Sequence, residues 1–183
     1  MKKYINWLLW VPSLIFFLYM AVFEMPKASR HLENVVENPT CASVPDLFLF
    51  GISMEAVGKS LTCMGQAGID KYIHIATHED SIFPLAYGVF FALSLFFLIS
   101  YSVDQKRIAW SLALIPIIAA LADYYENMNM VQVAGQFPDL DPEIVFKASV
   151  GNIWKWLFLS LNFILLVVYG FRALAFLIGK RKS

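Results

Sequence analysis

Asp123, Glu126 and Asn127 stand close together at the end of an otherwise apolar run that begins at Arg107. Asp80 opens the preceding apolar run, and Lys155 sits just inside the last one. A charged group at bilayer depth costs about 2.5–3.5 kcal/mol on insertion scales, so such residues persist where they pair, face a protein interior or line a wet cavity. Carboxylates in such a place can neutralise a lysine, hold a cation, or pass a proton as general acid or base.

Helical spacing groups these residues. Asp80, Pro84, Tyr87 and Phe91 recur along one face of their run, and Pro116, Ala120, Asp123 and Asn127 along one face of theirs, with Glu126 one turn from Asp123. Asn152, Lys155 and Ser149 share a side of the last run, close to Trp156. The expected cluster is therefore Asp80, Tyr87, Asp123, Glu126, Asn127 and Lys155, with Asp123 paired to Lys155 and Tyr87 and Tyr125 as hydrogen-bond donors. Three acids beside one lysine cannot all be charged cheaply in a partly dry pocket. Either one acid carries a proton, or a cation, water or cationic ligand completes the group.

The elements that must position these residues follow from composition. The chain is 59% hydrophobic, above the roughly 45–50% of soluble domains, and its mean hydropathy is +0.62. The excess falls in continuous blocks near the ~20 residues a helix needs to cross a bilayer. Continuous rather than alternating apolar runs select helices over barrel strands. The expectation is an all-α integral membrane protein: one membrane domain over residues 1–183, a four-helix bundle with spans near 4–23, 81–101, 107–127 and 152–178. Pro12 and Pro116 fall inside spans, where each removes a helical N–H. The net charge of zero and the absence of a basic stripe argue against nucleic acid as a partner. Membrane lipid, a small lipophilic ligand and a membrane-protein partner are the kinds of partner left.

Lysine and arginine set the orientation. Lys2 and Lys3, Lys106 and Arg107, and Arg172 with Lys180, Arg181 and Lys182 mark one side, while the long first loop carries Glu24, Glu33, Glu37, Asp46, Glu55, Asp70, Glu79 and Asp80. The positive-inside rule puts both termini in the cytoplasm and that loop outside, as in a bacterial inner-membrane protein. The three acids and Lys155 then share a depth near the outer leaflet. The first run also has the charged start of a signal peptide, but its apolar stretch is too long and no clear cleavage site follows.

The outer loop, near residues 24–80, reads as ordered. Pro39, Pro45 and Gly51 punctuate its first half as turns. Met54, Val57, Leu61 and Met64 then recur at helical spacing, with Ser53 as a cap and Gly65 or Gly68 as a stop. This short amphipathic helix lies on the membrane surface, packed over the bundle mouth, or acts as a mobile lid over a ligand pocket. Residues 69–80 lead directly into the second span, with one continuous helix as the candidate arrangement. His74 and His78, one turn apart, have a spacing that can hold a metal, but the pattern differs from the H-E-x-x-H of zinc proteases and lacks a third placed ligand. Cys41 and Cys63 both fall in the outer loop, an oxidising compartment in this topology, and form a candidate disulfide.

Three runs resemble a known group. Residues 65–88 look like G-x-x-G followed by D-x-x-F-P-x-x-Y, residues 116–127 like P-x-x-A-x-x-x-D-x-x-E-N, and residues 149–156 like S-x-x-x-x-x-K-W. Together they resemble a family of small four-span bacterial membrane proteins without assigned activity. The resemblance covers about Gly65 to Trp156, D-x-x-E-N being its most specific element, and marks Asp80, Phe83, Pro84, Tyr87, Asp123, Glu126, Asn127 and Lys155. It implies no reaction and no cofactor, and it does not extend to the two cysteines. The sterol-isomerase-like four-span fold, with acids and tryptophans around a cavity, is a distant analogy of shape.

Three roles follow from these residues. The cluster binds a small amphipathic ligand, cation or membrane partner. Alternatively it is an ion-pair clamp in a structural accessory subunit, or the acid–base centre of an enzyme acting on a lipid-like substrate. No nucleophile elbow or phosphate-binding loop accompanies it.

Overall fold

The computed structural model describes residues 2–36, 51–102 and 106–180. Among the described residues the chain is helical apart from short turns, and no strand is present. Helix α1 (Lys2–Tyr19) passes through a π-helical turn (Met20–Glu24) into α2 (Met25–Glu33). Helix α3 (Met54–Thr77) leads to α4 (Glu79–Ser102), α5 (Lys106–Ala113), α6 (Ile115–Gln136) and the long α7 (Pro142–Lys180). Four stretches are long and apolar enough to cross a membrane: Leu8–Glu33, Met54–Ser100, Lys106–Gln136 and Pro142–Phe176. The protein is an all-α, four-span membrane bundle.

Local chemistry sets the helix ends. Ser53 is extended, and its hydroxyl accepts the Ala56 N–H, capping α3. Gly65 interrupts α3 with φ 65° and ψ 174°, a left-handed conformation open to a residue without Cβ. A second break falls at His78, so the approach to the second span is two helices rather than one. The third span is likewise divided at Leu114, two residues before Pro116, which has no N–H for the turn preceding it.

The helices run beyond the spans expected from hydropathy. Helix α6 continues past Asn127 to Gln136, and α7 begins at Pro142, ahead of Asn152. At 39 residues, α7 is about 58 Å long at 1.5 Å per residue, against a hydrocarbon core of ~30 Å. The extra length is held by an outer apolar core in which Val57, Leu61, Met64, Ile69 and Tyr72 of α3 meet Met130 and Val133 of α6 and Val145 and Ala148 of α7. The segment from Met54 is thus a helical cap packed on α6 and α7, and its first part, from the Ser53 cap to the Gly65 break, is the expected short amphipathic helix.

Two further apolar layers follow along the bundle. Tyr87, Phe91, Ala119 and Ala120 form a middle layer with Phe17, Phe83, Phe158, Leu159 and Leu166 packed against it. Leu95, Ile99 and Ala109 form an inner layer with Leu112, Leu165 and Leu166. Helix α1 joins through aromatic contacts, Phe17 stacking on Phe90 with ring centroids 5.0 Å apart. The outward faces of α1 and α7 expose Leu8, Ile15, Leu157, Ile164 and Phe171, as a lipid-facing surface does.

Candidate functional site

The polar residues occupy the seam between the outer and middle apolar layers. Along α6, Ala119 and Ala120 belong to the middle layer and Met130 and Val133 to the outer one, leaving Asp123, Glu126 and Asn127 between. Along α7, Ala148 and Phe158 bracket Asn152 and Lys155 in the same way. Asp80, Asp123, Glu126, Asn127, Asn152 and Lys155 are all buried. In such surroundings each charge requires a partner.

Lys155 is the centre of the network. Its ammonium lies 2.6 Å from Glu126 Oε2 and 3.3 Å from Asp123 Oδ1. Asp123 Oδ2 accepts a hydrogen bond from the Tyr87 hydroxyl at 2.9 Å. Glu126 Oε1 accepts one from Asn152 Nδ2, also at 2.9 Å. Asp80 Oδ2 accepts from Asn127 Nδ2 at 2.9 Å, which binds the start of α4 to α6. Tyr124 adds a second tie, donating to the Ser81 carbonyl at 2.7 Å. The expected pairing of Asp123 with Lys155 is present, but Glu126 is the closer acid.

The backbone makes room for this arrangement. A Cβ on Gly151 would stand 2.8 Å from the Glu126 nitrogen and 2.9 Å from its Cα. Only glycine lets α7 approach α6 this closely, which sets Glu126, Asn152 and Lys155 side by side.

Two features of the site were not read from sequence. Asn152 Oδ1 accepts the Gly51 N–H and Ser149 Oγ accepts the Ile52 N–H, each at 2.9 Å. One amide thus joins the outer segment to buried Glu126. Ser149 and Asn152 were placed on the right face by spacing, but their partners are backbone groups about a hundred residues away, which no side-chain pattern reveals. The second feature is Asn162, a lone amide in an apolar run, fully buried two turns below Lys155. Its position within α7 was the available signal.

The remaining candidates lie apart from the network. The His74 and His78 rings stack at 4.3 Å on the exposed side of the hinge between α3 and α4. His74 Nδ1 is 3.5 Å from Glu79 Oε2, and His78 Nδ1 is 3.0 Å from the His74 carbonyl. Among the described residues no group of three or more His, Cys, Asp or Glu side chains is placed to hold a metal ion. Cys63 is disulfide-bonded, and Cys41 lies outside the described residues.

The site therefore combines three buried carboxylates, one ammonium, one phenol and two amides on α4, α6 and α7, roofed by the backbone of Gly51 and Ile52. Chemically it can stabilise positive charge and transmit a shift of the outer segment to Glu126. No family model, curated protein or solved structure matches the chain.

Proposed function

We propose that the protein is a binding protein of a bacterial inner membrane, with both termini in the cytoplasm, whose polar seam takes a small cationic ligand from the extracytoplasmic side. The observation that carries this reading is the charge balance on α6: Asp123 and Glu126 are buried together against the one ammonium of Lys155. Amides and a phenol stabilise carboxylates, but they do not neutralise them. The aromatic layer below, where Tyr87 meets Phe83 edge-on at 5.5 Å, suits the apolar part of an amphipathic cation. Access is by way of the Gly51–Ile52 roof, held by two side-chain hydrogen bonds. The distribution of Lys and Arg supports the orientation, and the D-x-x-E-N resemblance supports the bacterial assignment without adding a reaction.

Native mass spectrometry of wild type and Asp123→Asn released from mild detergent tests the proposal. A discrete small mass bound to wild type and missing from the variant is the expected result. Absence of any bound mass in wild type rejects it.

A second reading has its own support. The bonds from Gly51 through Asn152, Glu126, Lys155 and Asp123 to Tyr87 form a continuous chain across three helices. Such a chain is a structural clamp, as buried polar groups in membrane bundles commonly are. If the clamp is the whole role, Asp123→Asn loses stability or a protein partner, with no change in bound small molecules.

A further inference from the structure

Asn162 lies in the apolar interior, two turns of α7 beyond Lys155 on the same face. It has no exposed surface, and neither its Nδ2 nor its Oδ1 has a hydrogen-bond partner among the described residues. An amide buried with both ends unpaired is costly inside any protein, and more so where lipid excludes bulk water. Natural structures meet this demand with ordered water, which donates and accepts at once.

The surroundings contain further polar groups. Leu159 and Leu166, flanking Asn162 on its face of α7, both pack against the layer of Tyr87, Phe91, Ala119 and Ala120. Leu166 also belongs to the inner layer with Leu95 and Leu112, so Asn162 lies at the seam between the two. The antiparallel register set by Asp123 with Lys155 and Glu126 with Asn152 carries Asn162 to the level of Pro116 on α6. Pro116 has no N–H to give the carbonyl of Leu112, and its ring crowds that carbonyl, which opens the turn where the helix divides at Leu114. On α4 the same seam contains buried Ser94, whose hydroxyl donates to the Phe90 carbonyl at 2.7 Å and accepts from Trp10 Nε1 at 2.9 Å.

We propose that Asn162 and the proline-opened turn of α6 form an internal water site, in which ordered water bridges the Asn162 amide to the Leu112 carbonyl. The bundle then has a second polar layer below the carboxylate seam, hydrated from within, and this site is independent of whether the upper seam binds a cation. Water at this depth gives α6 a compliant joint at Pro116, immediately below the turns that hold Asp123 and Glu126.

The test is hydroxyl-radical footprinting by X-ray pulse on the full chain in lipid nanodiscs, with modification read by mass spectrometry. Radicals formed from bound water mark the side chains around it. Wild type is expected to show modification at Phe91 and Leu166, while fully buried Leu95 stays at background. Asn162→Leu is expected to lose that modification, and Pro116→Ala, which restores an N–H for Leu112, is expected to reduce it. Background modification of Phe91 and Leu166 in folded wild type overturns the proposal, whatever the variants do. So does unchanged modification in a folded Asn162→Leu protein. If that variant does not fold, Asn162→Ser replaces it, and undiminished modification together with an unchanged mass pattern in Pro116→Ala overturns the site.

Discussion

At the scale of single residues, the molecule depends on matching each buried charge to a partner. Lys155 is paired with both Glu126 and Asp123, so Lys155→Met leaves two carboxylates together in an apolar seam. Removing one partner of a buried ion pair typically costs about 3–5 kcal/mol. The expected outcome is a large fall in the detergent unfolding midpoint, partly recovered in Lys155→Met with Glu126→Gln, where one of the stranded charges is also removed. Thermal unfolding of the two proteins in the same detergent checks this, and equal losses would show that Glu126 is not the main partner. Asn152 makes a different kind of contribution, since its amide serves Glu126 on one side and Gly51 on the other. Asn152→Ala is expected to speed amide exchange at Gly51 while amides in the middle of α4 keep their protection. Hydrogen exchange with mass spectrometry reads both regions in one experiment.

At the scale of elements, close approach of α6 and α7 decides whether the residues meet at all. A methyl group at position 151 would press on the backbone of Glu126, which cannot rotate away as a side chain could. Gly151→Ala should therefore destabilise the bundle by the ~1–3 kcal/mol usual for overpacking, despite alanine's better helix propensity. A thermal midpoint equal to or above that of wild type would contradict the packing described. The sequence made some of this legible and hid the rest for identifiable reasons. Continuous apolar runs marked the spans because burial in lipid demands them, and the spacing of Asp80 and Tyr87, and of Asp123 and Asn127, placed each pair on one face. Ser53 announced its helix through an ordinary capping residue. The extension of α6 to Gln136 and of α7 back to Pro142 was hidden, because these stretches carry only one apolar stripe, which α3 covers. The division of the third span at Leu114 was foreshadowed by Pro116, but a proline indicates where an N–H is missing and not how far the chain will bend.

At the scale of the whole molecule, the layers imply a direction. The outer apolar core contains much of α3, a segment with Glu55, Lys59 and Asp70 on its outer surface, as a water-facing cap should have. The opposite end carries the short α4–α5 connection with Lys106 and Arg107 at the start of α5. In the proposed orientation the cap and the roofed carboxylate seam lie on the extracytoplasmic side, so that the proposed ligand would reach the roof without crossing the bilayer. Single cysteines at Lys59 and Lys106 distinguish the two orientations. In cells with an opened outer envelope, an impermeant maleimide should label Lys59→Cys directly and Lys106→Cys after the membrane is permeabilised. Cys63 is engaged in a disulfide, so it gives little background while the cells stay oxidised. The reverse labelling pattern would place the cap in the cytoplasm and require the ligand to approach from there. It would also remove the compartment argument for a stable disulfide in this segment, so one labelling experiment tests the side of entry and the redox setting of the cap together.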